Sequence, residues 1–208
     1  MIPAAVNKIP GITRASALTR KSLSRVWSWE ALAGQVSEIS GAASPATLTL
    51  SMDLVLDAQR QSEVVAWITT KDRFFFPPDV VECGIDLGAM VVVRAPTAAD
   101  APRAAEMLIR SGAFGLVVLD MGKETGIPLP MQARLVKLAQ QHHTAVLYVT
   151  IKPDSAASVG SLVSLHATTQ MSQTPSGSYE CGIKILKDKH SAPNWAHREV
   201  YCGPAGLR

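Results

Sequence analysis

Residues 41 to 48, Gly41-Ala42-Ala43-Ser44-Pro45-Ala46-Thr47-Leu48, have the length and placement of a G-x-x-x-x-G-K-[ST] phosphate loop, between an apolar strand-like run ending at Ile39 and an amphipathic helix starting near Leu48. In a working loop of that kind, successive backbone N–H groups cradle phosphate oxygens. The lysine reaches the terminal phosphates, and the hydroxyl after it holds Mg²⁺. Here Pro45 removes an N–H donor, Ala46 places a Cβ where glycine permits close approach, Thr47 supplies no cation and Leu48 no magnesium ligand. Gly41, Ser44, Ala46, Thr47 and Leu48 therefore read as the vestige of a phosphate site. No nucleotide or other cofactor, no catalytic residue and no metal ligand is expected.

The other reactive side chains are scattered. Cys83, Cys181 and Cys202 are odd in number and far apart, which suits reduced thiols better than a disulfide frame. His190, His197 and Cys202 lack the tight pair spacing of a metal site. No serine–histidine–acid set, nucleophile elbow or suitably spaced carboxylate pair appears in the sequence pattern. The net charge of +3 gathers at the two ends. Lys8, Arg14, Arg20, Lys21 and Arg25 crowd the first 26 residues, and Lys184, Lys187, Lys189 and Arg198 the C-terminal part. Aromatic residues are sparse in both, so weak, non-specific contact is the most that nucleic acid should make.

A chain of 208 residues with 47% hydrophobic and 18% charged residues suffices for one well-buried core. The opening ten residues hold no signal-like apolar run, and no stretch reaches the ~20 apolar residues of a membrane span, so a cytoplasmic protein is expected. Residues 1–26 have no clear apolar period and read as a flexible basic arm. From Trp27 to residue 208 the chain reads as a single domain. Its pattern predicts strand Val36–Ser40, helix Leu48–Gln61, strand Val64–Thr69, strand Met90–Arg94, helix Ala98–Ser111, strand Gly115–Asp120, helix Leu129–His142 and strand Thr144–Thr150. Continuously apolar runs such as Val64–Ile68, Met90–Val93 and Leu116–Leu119 suit parallel strands covered on both faces. Residues 161–171 and 180–187 then read as successive strands with no helix between. The fold class is α/β: a mostly parallel sheet flanked by helices, continuing into antiparallel C-terminal strands.

The order of these pieces resembles the RecA recombinase core over roughly residues 30 to 207. The residues that carry the likeness are Gly34 to Gly41 before the loop, Gly84-Ile85-Asp86 with Val91 to Pro96, Arg110 to Ala113 with Val117 to Asp120, and Lys187-Asp188-Lys189 with Ala192-Pro193. Within RecA-like proteins, Phe75-Phe76-Pro77-Pro78, Gly84-Ile85-Asp86-Leu87 and Val92-Val93-Arg94-Ala95-Pro96 are similar to the signature of the ImuA family. That resemblance implies a non-catalytic adaptor, a degenerate ATPase fold in the DNA damage (SOS) response, that serves mutagenic translesion DNA synthesis. ImuB is the implied partner and RecA a second candidate.

The same alignment puts Lys71 where the recombinase has its catalytic glutamate, so the base for hydrolysis is replaced by a cation. Asp120 becomes a vestigial Walker B aspartate, read as a structural cap. The segments 121–130 and 151–160 are short where a recombinase carries mobile DNA-binding loops. Lys187 and Lys189 match lysines that face a neighbour's nucleotide in the filament. They are candidates for contact with RecA, with a solvated strand end as the plainer reading. Arg20, Lys21 and Arg25 of the arm, and Phe75 and Phe76, are the other partner-binding candidates. In the run Phe74-Phe75-Phe76, two rings are expected to pack under the sheet edge and at least one to be exposed. A cell-division inhibitor of the SulA type is the alternative function.

Overall fold

The computed structural model describes residues 27–42, 46–71, 73–81, 83–123, 126–175, 177–190 and 195–201, apart from the side chains of Pro78 and Asp79. The chain enters the core at Trp27, whose indole Nε1 donates to the Leu50 carbonyl at 3.0 Å. A short helix α1 (Trp29–Leu32) is capped by Ser28, whose hydroxyl accepts from the Ala31 N–H. Two long-range hydrogen bonds tie this helix to the core, the Trp29 N–H on Asp57 Oδ2 (2.6 Å) and the Trp29 indole on the Gly115 carbonyl (2.9 Å).

Then come β1 (Val36–Ser40), α2 (Ala46–Arg60), β2 (Val65–Thr70), α3 (Pro77–Val81), a 3₁₀ turn at Leu87–Ala89, and β3 (Met90–Ala95). The remaining elements are α4 (Ala101–Arg110), β4 (Leu116–Gly122), α5 (Leu129–His142), β5 (Ala145–Thr150), β6 (Leu165–Gln173), β7 (Tyr179–Asp188) and β8 (Ala196–Tyr201). The strands form one sheet in the order β3-β2-β4-β5-β1-β6-β7-β8. Every neighbouring pair from β3 to β6 is parallel, and β6-β7-β8 is antiparallel. The α/β class, the mostly parallel sheet and the antiparallel extension are as expected.

The alternation of strand side chains divides the interior into two cores. Leu116, Val118, Val65, Trp67, Leu147 and Val149 face α2, while Val117, Leu119, Ala66, Ile68, Val146 and Tyr148 face α4 and α5. Each fully buried large apolar side chain contributes about 1.5–3 kcal/mol, and Trp67, Ile39, Leu50, Leu54, Ile68 and Leu135 are all sealed from solvent.

Three differences from the sequence-based expectation have physical causes. β3 is an edge strand, paired only with β2, so Val91 and Val92 stay 41% and 40% exposed where burial on both faces was expected. β8 was not anticipated. Its burial is slight, it carries charge at Arg198 and Glu199, and it pairs on one side only, so its sequence has no strand-like apolar pattern. The connection from β5 to β6 runs over residues 151–164, longer than expected, because Ser161 to Ser164 turn before the sheet resumes. Among the described residues no helix is long and apolar enough to cross a membrane.

Candidate functional site

In open α/β sheets, ligands meet the carboxyl ends of the strands where the chain's winding direction switches. Here β1 lies between β5 and β6, and the chain leaves its carboxyl end through α2 to reach β2 on the far side of β5 and β4. The segment that joins β1 to α2 therefore lies at the switch point, and Gly41 in it and Thr47 at the start of α2 are tied into the protein. The Gly41 N–H donates to the Thr150 carbonyl (3.3 Å). α2 begins at Ala46, two residues before the expected start, which buries Ala46 completely and leaves Thr47 6% exposed. Thr47 Oγ1 shares a 2.7 Å hydrogen bond with Thr169 Oγ1 of β6. The position that would hold the phosphate-binding lysine is thus a tie between α2 and the sheet. Leu48 is 40% exposed, and Ser44 lies outside the described residues.

Asp120, at the end of β4, is 3% exposed in its side chain and carries an ion pair to Arg73 Nε at 2.9 Å. Burial raises its pKa, and the Arg73 guanidinium and a Gly122 N–H pull the other way. An internal cation stands where a bound metal ion would otherwise meet this carboxylate. Arg73 is held by a tight return of the chain: its N–H donates to the Thr70 carbonyl, and its own carbonyl accepts from Thr69 Oγ1, both at 3.0 Å. Gly122 has φ +58°, and a Cβ there would sit 3.0 Å from Arg73 Cδ, so glycine is what lets the arginine lie across the strand end. Arg73 was not singled out from the sequence, where an arginine three residues beyond a strand gives no sign of its partner. Lys71 is exposed.

A second cluster was not anticipated either. Glu38 of β1, with no exposed side-chain surface, is paired with Lys152 Nζ, itself 5% exposed. The same carboxylate accepts from Thr150 Oγ1 (2.8 Å) and from the Val159 N–H (2.9 Å), and Lys152 Nζ also donates to the Ala157 carbonyl (2.6 Å). His166 of β6 lies alongside, with Nε2 3.2 Å from Ser40 Oγ and 3.8 Å from Glu38 Oε2. Serine, histidine and acid are therefore together in space. They do not form a charge-relay set, which needs the acid on Nδ1 while Nε2 faces the hydroxyl. One nitrogen faces both here, and Ser40 is fully buried. Burial, the largest influence, lowers the His166 pKa against the pull of Glu38. The arrangement pins the β5–β6 connection to β1: Thr168 Oγ1 donates to Asp154 at 2.5 Å, and residues 152 to 159 fold over Glu38.

Next to the vestigial loop a cavity of about 450 Å³ opens between α2 and the segment after β2. Trp67, Met52 and Leu56 line it, with Phe74, Phe75 and Phe76 along one side. The packing of the three phenylalanines reverses the expectation. Phe75 alone packs inward, tilted against Trp67 with ring centroids 5.9 Å apart, while Phe74 and Phe76 are 81% and 60% exposed. Phe75 therefore serves the core, and Phe74 takes its place as a surface ring. Alternate residues of an extended segment point opposite ways, so only the middle ring of three faces the sheet. Asp53 of α2 lines the same cavity. Its pKa is raised to about 7, by burial first and then by the Glu199 carboxylate across from it on β8, with Arg60 acting weakly in the other direction. Asp53 Oδ2 is buried without a hydrogen-bond partner.

Lys187 and Lys189 lie at the other end of the sheet. Leu165 pairs with both Asp188 and Ser37, which places the end of β7 beside the start of β1, away from residues 41–47. Both ammonium groups point at the Ser161 carbonyl, Lys187 at 3.4 Å and Lys189 at 2.7 Å. Burial first and Lys189 second lower the Lys187 pKa. Arg20, Lys21 and Arg25 lie outside the described residues. Among the described residues no group of three or more histidines, cysteines and carboxylates could hold a metal ion.

A family model for the RecA N-terminal domain matches residues 30–126, the stretch from α1 through the vestigial loop and Asp120. Over these residues the chain is similar to the RecA N-terminal domain. Protein RecA of Corynebacterium urealyticum is 30% identical over 128 residues, covering 56% of this chain and 34% of that protein. Protein RecA of Chloroflexus aurantiacus is 32% identical over 117 residues, 51% of this chain and 33% of its own length. For Protein RecA of a Nocardioides species the values are 32% over 126 residues, 55% and 35%. This chain spans about a third of the length of these curated relatives.

Proposed function

We propose that this RecA-like chain is a non-catalytic adaptor of the ImuA type, acting in SOS-induced translesion DNA synthesis through contacts with ImuB and with RecA. The observation that carries the reading is the state of the switch-point crevice. The strand order and loop position of a nucleotide site are kept, while Thr47 is tied to Thr169 and Asp120 to Arg73, leaving neither a phosphate cation nor a free metal carboxylate. Losing several charge-assisted contacts at about 1.5–3 kcal/mol each weakens nucleotide binding by orders of magnitude.

The lysine pair supports a contact with RecA. Lys187 and Lys189 stand at the sheet end opposite the loop, so a head-to-tail neighbour would bring its own nucleotide edge to them, which is the geometry of a heterologous interface. Binding is then electrostatic in part and weakens with salt. DNA contact is at most weak, non-specific and salt-sensitive, and the basic arm 1–26 is a second docking element. The protein is placed in the cytoplasm on the same reading. No observation favours the cell-division alternative.

The test is a binding assay of the full chain with purified RecA filaments and with ImuB, beside Lys187→Ala/Lys189→Ala and a chain lacking residues 1–26. The double variant should lose RecA association more at low salt than at high, and the truncation should weaken ImuB or RecA binding while keeping the fold. Micromolar Mg-ATP binding by calorimetry, or unchanged association in both variants, refutes the reading.

A further inference from the structure

We infer that the cavity between α2 and the segment after β2 is a docking pocket for a peptide segment of a partner protein, one in which a basic side chain flanks a large apolar anchor. This deepens the adaptor reading and rests on it only in requiring a protein partner, whichever protein that is.

Three observations on the site converge. Its volume of about 450 Å³ falls within the roughly 300–1,000 Å³ of ligand pockets, and its walls are largely apolar. The apolar surface continues out of the cavity. Leu48, Phe74 and Phe76 all line it and are 40%, 81% and 60% exposed, so the rim itself is aromatic and aliphatic. Exposed aromatic rings around a concave site are what protein partners use as anchors, whereas a small ligand would need only the interior.

The charge is the second element. Asp53 lines the cavity with its Oδ2 buried and without a hydrogen-bond partner; burial and the neighbouring Glu199 oppose its ionisation, and Arg60 offsets them only weakly. That second carboxylate, Glu199, accepts from Tyr201 Oη at 3.0 Å and lies 3.4 Å from His197 Nε2. The cavity's other acid, Asp120, is already matched by Arg73. An apolar cavity whose acid pair, Asp53 and Glu199, is only weakly offset by Arg60 favours an apolar segment that brings a cation, which would ionise Asp53 by pairing with it, and it disfavours an acidic segment by like-charge contact.

The third element is position. The cavity lies at the carboxyl ends of β2 and β4, beside the residues that would have held phosphate, while Lys187 and Lys189 stand at the opposite end of the sheet. The molecule thus offers one basic and one acidic–apolar surface on separate ends, so two different partners could be held at once.

The test uses two synthetic probes on the full chain, acetyl-Gly-Leu-Phe-Arg-Leu-Gly-amide and the same peptide with glutamate for arginine, followed by heteronuclear NMR and calorimetry. The basic peptide should bind at least about tenfold more tightly than the acidic one, with the largest shifts at the Trp67 indole and at Phe76. Asp53→Asn should reduce that preference to near unity. Phe76→Ser, at an exposed position that leaves the fold alone, should weaken both peptides about tenfold. Equal binding of the two peptides, absence of saturable binding for either, or a preference that survives Asp53→Asn overturns the inference. So does saturable binding of phenethylammonium with neither peptide bound, which would assign the cavity to a small cationic ligand. Because neither ImuB nor RecA enters the experiment, these failures leave the adaptor reading to its own test.

Discussion

Replacing Lys152 by methionine keeps most of the side-chain volume and deletes the ammonium that faces Glu38. Glu38 would then be a fully buried carboxylate that keeps the hydrogen bonds of Thr150 Oγ1 at 2.8 Å and the Val159 N–H at 2.9 Å, with His166 Nε2 3.8 Å away. Removing one partner of a buried ion pair costs about 3–5 kcal/mol, because the remaining charge stays desolvated and uncompensated. For a chain of this size each kcal/mol moves Tm by about 2–4 °C, so the variant should melt about 6–20 °C lower. That is a large share of the roughly 5–15 kcal/mol that stabilises a typical domain. The companion variant Glu38→Gln/Lys152→Met removes both charges, and the glutamine oxygen still accepts from Thr150 or Val159. It should recover to within about 1–2 kcal/mol of the wild type. Urea unfolding followed by tryptophan fluorescence and far-UV circular dichroism gives both numbers. A single variant within about 1 kcal/mol of wild type, or a double variant no better than the single, would refute the claim that this pair governs how the β5–β6 connection is held.

Arg73→Ala should destabilise by about 2–3 kcal/mol, less than a fully buried partner would, because Arg73 is 25% exposed while Asp120 is 3% exposed; denaturant titration checks it. Thr47→Lys should neither confer hydrolysis nor improve Mg-ATP binding, since the new ammonium would enter a site 6% exposed against Thr169 and Arg73 would still occupy Asp120; a phosphate-release assay that detects turnover contradicts this. The pKa of Asp53 is raised from 3.8 to about 7, so its contribution to stability is complete below the unfolded value and is lost as pH rises through about 7. Asp53→Asn, which faces the same Glu199, Arg60 and Cys181, should therefore gain on the wild type as pH rises from about 4 to about 7 and hold that gain above it, and parallel stability profiles would exclude the coupling. The His166 pKa is lowered from 6.5, so its contribution is present above that value and is lost as the solution is acidified below it; a His166→Gln variant should show a shallower loss on the acid side.

The parallel core was written in the local pattern. Continuous apolar runs at 65–68 and 116–119, alternating with segments of helical period, give βαβ units whatever lies around them, and α5 came out with the expected ends, Leu129 and His142, because Pro130 starts it and His143 in the left-handed region stops it. The residue types at the loop were legible too: Thr47 stands at the position of the lysine and Leu48 at that of the hydroxyl. What those side chains and their neighbours pair with was not legible. Arg73 and Asp120 are 47 residues apart, Glu38 and Lys152 meet across two paired strands, and Asp53 meets Glu199 only because β8 folds back beside β7. Charge pairing over such distances depends on strand order, and one charged residue in an apolar strand carries no mark of its partner. The phenylalanine run shows the same limit at short range. Composition placed an aromatic cluster at 74–76, but only the extended backbone, which sends Phe75 against Trp67 and leaves Phe74 and Phe76 to solvent, decided which rings belong to the core and which to a surface.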